Sequence, residues 1–341
     1  MWSSNFSINS ETASRSYRTE LESMMALLRE GRSLSVQSSG SSGKPKAFNL
    51  DLEDALASAD LTLNFFNLKA KQRALVALPL QAVSGALMVI RAMRAGLELH
   101  AVTPQANPFL GFEDKQDGFF DFVALTPYQV AHSMVHLRLV KTLLVGGARL
   151  SNSLLYSLPD GSQITIFESY GMTETLTHVA LRKRYPIEEG LFTALSGVQF
   201  TTGEAGNLII HASHLKHSTV ITNDSVRLHS ETQFEYIGRL DHSINSGGVK
   251  LFPERIEQKI SRVYSDFLFF VSAMPHPELG EQAALVIEGD EALRKQVEEG
   301  LDQISWERYE KPKAVYALSN FFYTSTQKFD RLRTMEQLNL K

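Results

Sequence analysis

The 341-residue sequence contains no cysteine. This absence excludes disulfide bonds, a thiol nucleophile and thiolate metal sites, and it is compatible with a reducing compartment. The sequence also lacks an excess of basic residues, since 34 lysines and arginines stand against 38 aspartates and glutamates, for a net charge of -4. No basic block interrupts this balance, so the sequence gives no reason to expect nucleic-acid binding.

Long hydrophobic runs are also missing. The longest apolar stretch, residues 74–90, is interrupted by Pro79, Gln81, Ser84 and Gly85. A membrane-spanning helix needs about 20 mostly apolar residues, so this stretch is predicted to be a buried strand, a turn and a buried helix. The initial segment MWSSNFSINSETASRSYR has no apolar core of the kind found in signal peptides. We therefore expect a soluble, cytoplasmic protein that is not inserted in a membrane.

Short apolar runs alternate with helical patterns over the first two thirds of the chain. Apolar residues at helical spacing predict helices over residues 12–29 and 51–67. Strands are predicted at residues 33–37, 74–78, 98–102, 121–125, 141–145 and 163–167. Strands alternating with helices favour a large multi-strand α/β domain.

The pattern changes after residue 238. A helix with Pro253 near its start is predicted over residues 253–264. Two strands, a charged helix and a third strand are predicted to follow, at residues 267–273, 283–288, 290–302 and 314–318. We therefore predict an α/β domain over residues 1–238 and a small α+β domain over residues 239–341, joined by a short hinge near Asp241.

The segment SSGSSGKPK, residues 38–46, has two interpretations. Small residues of this kind form flexible linkers between domains. Glycines also allow backbone N–H groups to converge on an anion, and Lys46 would add a positive charge. A Walker A loop is excluded because only two residues separate Gly40 from Gly43 and Pro45 follows Lys44. Composition alone leaves the linker and the phosphate loop open.

Four further segments follow this loop in order: ESYGMTETLTHVAL (168–181), TND (222–224), GRLDHSINSGGVKLFPERIE (238–257) and TSTQKFDR (324–331). Together with the loop they resemble the signature blocks of the acyl-adenylate-forming, AMP-binding superfamily, in its acyl-CoA synthetase branch. The resemblance spans Ser38 to Arg331 and favours the phosphate loop. It implies a large α/β domain, shortened relative to the family, and a small mobile carboxyl-terminal domain.

The resemblance implies two half-reactions on one site. A carboxylate attacks the α-phosphate of ATP to give an acyl-adenylate and pyrophosphate, and the thiol of coenzyme A then displaces AMP. The reaction would require ATP, Mg²⁺, coenzyme A and a small carboxylic acid. The segments ESYGMTET, THVALR, TND and INSGGVK most resemble those of o-succinylbenzoate–CoA ligases. The implied reaction is the conversion of o-succinylbenzoate to o-succinylbenzoyl-CoA in menaquinone biosynthesis.

The resemblance assigns the phosphate and metal contacts. Thr173 would bond the α-phosphate and Glu174 would hold Mg²⁺, although an acid at this place is also typical of a solvated helix start. Lys328 would contact both the carboxylate and the α-phosphate; the alternative is an exposed lysine in the tail. The remaining phosphate contacts would come from the loop residues Ser38, Ser39, Gly40, Ser41, Ser42, Gly43 and Lys46.

The adenine and ribose contacts are implied in the same way. Asp224 would accept hydrogen bonds from the ribose hydroxyls, with Asn223 altering the turn that the family's Thr-Gly-Asp block forms. Arg239 would be a second ribose contact or, alternatively, part of a surface salt bridge. Adenine would lie against residues of two short segments, namely Gly147, Ala148, Tyr170 and Gly171. A core tyrosine would give the same sequence pattern at Tyr170.

The start of the small domain would act in the second half-reaction. Asp241 occupies the position about which the family's small domain rotates. The segment INSGGVK, residues 244–250, would then face the active site, and its glycines would permit close approach of the pantetheine arm. The residues expected there are Gly247, Gly248 and Lys250.

Three departures from the family pattern keep other hypotheses open. Only 37 residues precede the loop, Gln81 and Ala82 replace an aromatic–histidine pair, and Gln327 replaces the glycine before Lys328. The first rival is another aromatic or small-acid CoA ligase. The second is a non-catalytic nucleotide-binding homologue that acts through a partner, and the third is an adenylation domain that loads a carrier protein. A homodimer is compatible with each.

Two other clusters receive structural interpretations. His211, His214 and His217 are three residues apart, but strand periodicity would put His214 on the face opposite the other two, which disfavours a zinc site. The aromatic segment over residues 112–122 is predicted to be a loop packed on the core rather than a platform for stacking bases.

Overall fold

The computed structural model describes residues 2–38, 46–159, 161–264, 267–322 and 330–338. The chain divides into two compact units. The first contains Met1–Thr201, Ile209–Val220 and Leu228–Glu235, and the second contains Thr202–Leu208, Ile221–Arg227 and Tyr236–Lys341. The predicted domain boundary between residues 238 and 239 stays a prediction.

The helices and strands are numbered in chain order. The helices are α1 (Arg15–Arg29), α2 (Leu52–Phe65), α3 (Val83–Ala95), α4 (Pro127–Ala131), α5 (Asn152–Tyr156), α6 (Pro253–Ile260), α7 (Glu291–Gly300) and α8 (Arg331–Glu336). The strands up to residue 185 are β1 (Ser7–Asn9), β2 (Leu34–Ser38), β3 (Lys46–Leu50), β4 (Arg73–Val76), β5 (Glu98–Ala101), β6 (Phe120–Leu125), β7 (Val140–Val145), β8 (Thr165–Gly171) and β9 (His178–Tyr185). The later strands are β10 (Phe192–Ala194), β11 (Val198–Thr202), β12 (Asn207–Ala212), β13 (Thr219–Ser230), β14 (Gln233–Arg239), β15 (Ile244–Ser246), β16 (Val249–Leu251), β17 (Phe269–His276), β18 (Gly280–Glu288) and β19 (Ala314–Leu318).

A twelve-stranded sheet has the order β1-β5-β4-β6-β7-β8-β9-β10-β14-β13-β12-β11. The first six strands in this order, β1, β5, β4, β6, β7 and β8, pair with one another in the parallel sense, and β8 pairs with β9 in the antiparallel sense. Parallel strands are usually covered on both faces, which is why the predicted strands of this region appear as continuous apolar runs. The predicted α/β architecture with a large sheet is confirmed.

The first helices begin later than the sequence pattern suggests because side chains cap them. Ser14 accepts a hydrogen bond from the Tyr17 N–H, so α1 begins at Arg15 rather than at residue 12. Asp51 accepts from the N–H groups of Glu53 and Asp54 and starts α2. Helix α3 is buried over most of its length, as predicted for the apolar stretch that contains it.

The aromatic segment over residues 112–122 packs on the core of the first unit, as predicted. Phe112 and Phe120 are buried, and their ring centroids lie 5.2 Å apart in an edge-to-face arrangement. The ring of His100 lies 5.4 Å from that of Phe120. These aromatic rings therefore belong to the core, and residues 120–122 lie in β6 rather than in a loop.

The second unit contains a five-stranded sheet in which β16, β15, β18 and β17 are neighbours in that order and β19 pairs with β18. Pro253 occupies the first turn of α6, where its missing N–H costs no hydrogen bond. The sheet and helices enclose a core that includes Ile244, Ile256 and Leu285. The α+β prediction is confirmed here, with β15 and β16 as additional strands. Across both units, no helix within the described ranges has the length and apolar character needed to cross a membrane.

Candidate active site

The predicted phosphate loop joins two paired strands. Strands β2 and β3 are antiparallel, and Ser38 pairs with Lys46 at the end of the hairpin. The Gln37 N–H donates to the carbonyl of Gln81 at 2.7 Å, just before α3. A linker would separate two structural units, so these paired flanks exclude that interpretation. Residues 39–45, which carry Ser39, Gly40, Ser41, Ser42 and Gly43, lie outside the described residues.

The carboxyl ends of β7 and β8 bring four predicted contacts together. The two strands are parallel, with Val145 opposite Glu168, and the Ser169 hydroxyl donates to the Val145 carbonyl at 3.0 Å. Gly147 and Ala148 follow β7 after Gly146, whereas Tyr170 and Gly171 are the last residues of β8. The carboxyl ends of parallel strands are a common place for ligands in α/β folds.

The ESYG segment forms the end of a strand instead of following one. The Tyr170 ring is buried and packs against the rings of Phe192 and Phe234, with centroids at 5.7 and 5.0 Å. Gly171 is needed because a β-carbon there would lie 2.1 Å from the Thr177 carbonyl oxygen. The chain therefore folds back tightly on β8 after residue 171.

Thr173 and Glu174 lie in a 3-10 helix, Thr173–Thr175, within this fold-back. The buried Thr175 fixes the turn because its hydroxyl accepts from the Met172 N–H at 2.9 Å and donates to the Thr177 carbonyl at 2.7 Å. Glu174 is exposed and has no hydrogen bond or ion pair with any residue in the described ranges.

The exposed carboxylate of Glu174 fits a magnesium ion that is shared with a phosphate. Mg²⁺ is usually held by one or two carboxylates together with substrate phosphates and water. Within the described part of the chain, no group of three or more histidine, aspartate or glutamate side chains could hold a metal alone. Glu174 would therefore bind the ion only when substrate oxygens complete its coordination.

Three predicted residues meet in the second unit. The Arg239 guanidinium donates to both carboxylate oxygens of Asp241, at 2.8 and 2.7 Å, and one of its nitrogens lies 3.7 Å from Asp224 Oδ1. The hydrogen bonds from Arg239 lower the pKa of Asp241. Burial and the nearby Asp224 carboxylate raise the pKa of the Tyr236 hydroxyl. Arg239 thus forms the salt bridge that was its alternative interpretation. It also lies beside Asp224, the other residue predicted to contact the ribose.

The turn expected at Asn223 is absent from this described segment. Residues 222–224 lie inside the long strand β13, and Asp224 is buried there. The Thr222 hydroxyl donates to the Leu208 carbonyl at 2.8 Å and accepts from the Asp224 N–H at 3.1 Å. An extended backbone accommodates asparagine as well as glycine, which explains why Asn223 is tolerated.

The INSGGVK segment forms a tight hairpin. Asn245 pairs with Lys250 between β15 and β16, and the turn is made by Gly247 and Gly248, with φ values of 56° and 80°. Two consecutive residues with positive φ are typical of the two-residue turn that matches strand twist, and glycine adopts them without strain.

Lys328 lies outside the described residues, but the chain on both sides of it is held. The Asp330 N–H donates to the Phe322 carbonyl at 2.9 Å. The next residue, Arg331, forms an ion pair with Glu257 of α6 at 3.0 Å, and its guanidinium lies over the Phe270 ring.

A buried ion network on β8 and β9 was not predicted. Glu168 accepts hydrogen bonds from Arg182, at 3.0 Å, and from Arg184. Arg184 also contacts Asn152 and forms an ion pair with Glu188. The available signal was the LRKRY pattern, because residues two apart on a strand share a face and two buried arginines require an acid.

A second unpredicted cluster surrounds Arg91 of α3. Arg91 is 2% exposed, and its hydrogen bonds go to the Thr177 hydroxyl at 3.4 Å and the Met88 sulfur at 3.9 Å. Its Nε atom is buried without a partner. The buried His178 ring contacts the hydroxyls of Thr62 at 3.1 Å and Thr177 at 3.3 Å.

Burial lowers the pKa values of both titratable groups of this cluster, Arg91 and His178. It lowers the pKa of Arg91 to about 9, so the guanidinium remains charged at neutral pH. Burial, followed by the charge of Arg91, lowers the pKa of His178 well below its ordinary value. Arg91 is therefore a desolvated cation beside a neutral imidazole.

The three histidines 211, 214 and 217 do not share a strand. His211 lies on β12 and bonds the Thr201 hydroxyl at 2.8 Å, whereas the strand ends at Ala212, before the other two. The strand-periodicity argument therefore does not apply to His214 and His217, and the zinc hypothesis has no support from the described residues.

Known proteins resemble this chain in sequence and in fold. The family model described as AMP-binding enzyme matches residues 36–199. The crystal structure of an acyl-CoA synthetase (AMP-forming)/AMP-acid ligase II-like protein from Dyadobacter fermentans is 34% identical, covers 96% of both chains and has a TM-score of 0.61.

More distant relatives include CoA ligases. The 2-succinylbenzoate–CoA ligase of Haemophilus influenzae is 26% identical over 311 residues, which cover 82% of this chain and 65% of the relative. This chain thus spans slightly less than two thirds of that ligase. The o-succinylbenzoate–CoA synthetase of Bacillus subtilis, in complex with ATP and magnesium, is 17% identical, covers 88% of this chain and 69% of that one, and shares the fold with a TM-score of 0.73. The chain belongs to the AMP-binding enzyme family.

Proposed function

We propose that this protein is an ATP-dependent acid–CoA ligase that forms an acyl-adenylate and then a CoA thioester. The observation that supports the proposal is the retention, in a chain of this family, of the residues predicted to contact the nucleotide. Thr173 and Glu174 lie at the carboxyl end of β8, and Asp224 and Arg239 are adjacent in the second unit. The third rival, loading of a carrier protein, draws no support from the relatives named above.

Each retained residue has a defined task in this proposal. The Thr173 hydroxyl and Lys328 stabilise the charge that develops on the α-phosphate during attack by the carboxylate. Asp224 orients the ribose, and Arg239 exchanges its contact with Asp241 for one with the nucleotide. Glu174 helps to hold Mg²⁺, which neutralises phosphate charge when it is bound.

We propose o-succinylbenzoate as the acid and o-succinylbenzoyl-CoA as the product, as part of menaquinone biosynthesis. The Haemophilus influenzae relative, which is named for this activity, supports the choice. A 25% identical feruloyl-CoA synthase from an Amycolatopsis species keeps another aromatic acid as the second candidate. The cytosolic location, the coenzyme A contacts of Gly247, Gly248 and Lys250, and a homodimer stay predictions.

Acid-dependent release of pyrophosphate from ATP and Mg²⁺ tests the proposal. The wild-type protein should release pyrophosphate with o-succinylbenzoate, with multiple turnovers only when coenzyme A is present. Lys328→Ala should lower the rate by about 10²-fold or more, the usual effect of removing a group that stabilises transition-state charge. Lys311→Ala, which removes a half-exposed lysine paired with Asp302, is the matched control. Failure with a broad panel of acids, despite ATP binding, would favour the non-catalytic homologue.

A further inference from the structure

Lys328 belongs to the segment 323–329, and both ends of this segment are held within the second unit. Before it, Phe321 is buried and packs on Phe270, with ring centroids 5.2 Å apart. After it, the Asp330 N–H donates to the Phe322 carbonyl at 2.9 Å. Residues 322 and 330 are therefore neighbours, and the seven residues between them begin and end at adjacent points of the second unit.

Arg331 anchors the later of these two ends through a bidentate contact with Glu257 of α6. Its Nη2 atom donates to Glu257 Oε2 at 3.1 Å, and its Nη1 atom lies 3.0 Å from Oε1. The guanidinium also lies over the ring of Phe270, 5.6 Å from the centroid. A bidentate contact between arginine and a carboxylate fixes the orientation of the two groups as well as their distance. The chain at Arg331 is therefore held in direction as well as in place.

The Glu257 carboxylate depends on Arg331 for its charge compensation. Only 20% of the Glu257 side chain is exposed. Among the described residues, the only other hydrogen bond that this carboxylate accepts comes from the Val271 N–H at 2.8 Å. Burial raises the pKa of the Glu257 carboxyl, and the charge of Arg331 opposes this shift. Because a mostly buried carboxylate is costly without a cation, Glu257 favours the state in which Arg331 is docked.

We propose that Glu257 and Arg331 are positioning residues for Lys328 in the formation of the acyl-adenylate. Lys328 is three residues before Arg331 and two before Asp330. A residue two positions from an anchored Cα atom stays within about 7 Å of it, so the anchor restricts where the lysine can reach. Neither Glu257 nor Arg331 is assigned a contact with the reacting atoms, and both act through Lys328. This inference rests on the proposed ligase activity and deepens it.

A double-mutant cycle with Lys328 tests the proposal. The first turnover of acid-dependent pyrophosphate release is measured without coenzyme A. Arg331→Met should slow it by about 10- to 100-fold at saturating ATP, because misplacing a reacting group is costly, and leave the half-saturating ATP concentration within about threefold. In Lys328→Ala the same substitution should cost less than about twofold, because a positioning residue has no effect without the group that it positions. Equal losses in the two backgrounds would overturn the proposal. Arg294→Met, which removes an ion-paired arginine of α7, is the matched control and should behave as wild type.

Two further readouts separate positioning from a purely structural role. Lys328 is assigned to the first half-reaction, so Arg331→Met should form the thioester from supplied acyl-adenylate and coenzyme A within about threefold of the wild-type rate. Glu257→Met combined with Arg331→Met removes both charges together, so its thermal midpoint should recover most of what Arg331→Met loses. Its first half-reaction should nevertheless stay slow, because the directional contact is missing. Recovery of that rate together with the midpoint, or equal losses in both half-reactions, would overturn the proposal, and the double variant decides even if Arg331→Met does not fold.

Amide hydrogen exchange distinguishes failure of the anchor from failure of the ligase proposal. The Phe322 N–H donates to the Thr334 hydroxyl at 3.0 Å and the Asp330 N–H to the Phe322 carbonyl, so both amides report on the base of the segment. In the full chain, Arg331→Met should speed their exchange by about 10-fold or more, and Arg294→Met should leave it unchanged. If no acid supports pyrophosphate release, the ligase proposal fails while these rates still decide whether the ion pair anchors the segment. Wild-type exchange in Arg331→Met would overturn the anchor and the positioning role with it.

Discussion

The buried arginines of the first unit differ in whether they have an acidic partner. Arg182 and Arg184 share Glu168 across β8 and β9, whereas Arg91 of α3 lacks an acid among the described residues. The sequence offered a signal for the first case, because residues two apart on a strand share a face. It offered no signal that Arg91 is buried, because a single arginine in an otherwise apolar helix usually lies at the protein surface.

Replacing Glu168 should be strongly destabilising. Glu168→Gln keeps the shape of the side chain but removes the carboxylate that two buried guanidinium groups share, so we expect the free energy of unfolding to fall by about 3–5 kcal/mol. Urea unfolding followed by circular dichroism measures this loss. The control is Asp114→Asn, which breaks the exposed ion pair to Lys115 and should leave the stability essentially unchanged. Similar stabilities of the two variants would contradict the account of the network.

His178 should make stability depend on pH. Burial, then Arg91, lower its pKa well below 6.5, the ordinary value that the unfolded chain retains. Below about pH 6.5 the unfolded state therefore binds a proton that the folded state does not. The contribution of His178 is fully present above that pH and is lost as the pH falls, with a slope of about 1.4 kcal/mol per pH unit.

Urea unfolding between about pH 7.5 and pH 5 checks this dependence. His178→Asn should flatten the acidic limb by about one proton's slope, whatever its effect on stability at neutral pH. His217→Asn, at an exposed position, should leave the slope unchanged. An identical slope in wild type and His178→Asn would show that the imidazole is protonated in the folded state.

At the scale of elements, buried strands were easier to predict than half-exposed ones. Strands β4 to β7 appear as short apolar runs because both faces of the parallel sheet are covered. The end of β8 was missed because its polar residues suggest a loop, whereas in the structure Arg182 and Arg184 neutralise Glu168. Most of the strands between residues 178 and 239 lack such runs, because many of their side chains are exposed or half-exposed.

The fold-back after β8 predicts an intolerance at Gly171. A β-carbon there would meet the Thr177 carbonyl oxygen at 2.1 Å, and backbone atoms cannot move aside as a flexible side chain can. Gly171→Ala should therefore lower stability by about 1–3 kcal/mol, the usual effect of overpacking, and displace the helix that carries Thr173 and Glu174. Gly190→Ala, where a β-carbon meets open space, is the matched control.

The readouts for Gly171→Ala are urea unfolding and acid-dependent pyrophosphate release. Both should be impaired in Gly171→Ala and close to wild type in Gly190→Ala. A fully active Gly171→Ala protein would mean that the fold-back is not needed to place Thr173 and Glu174.

At the scale of the whole molecule, the order of the blocks was more informative than any one block. The loop near Ser38, the ESYGMTET segment and the region around Arg239 lie far apart in sequence, and each alone has an ordinary structural interpretation. Their order led to the family, which the comparisons confirm. Side-chain pairing, such as that of Arg239 with Asp241, depends on three-dimensional contacts that a single sequence does not specify.

The stoichiometry of the products tests the central claim most directly. The full chain is incubated with ATP, Mg²⁺, coenzyme A and o-succinylbenzoate, and AMP, pyrophosphate and the thioester are quantified by chromatography with mass spectrometry. The account predicts equal amounts of the three products, with none formed when the acid is omitted. ADP and phosphate in place of AMP and pyrophosphate, or no thioester with any acid of a broad panel, would contradict it.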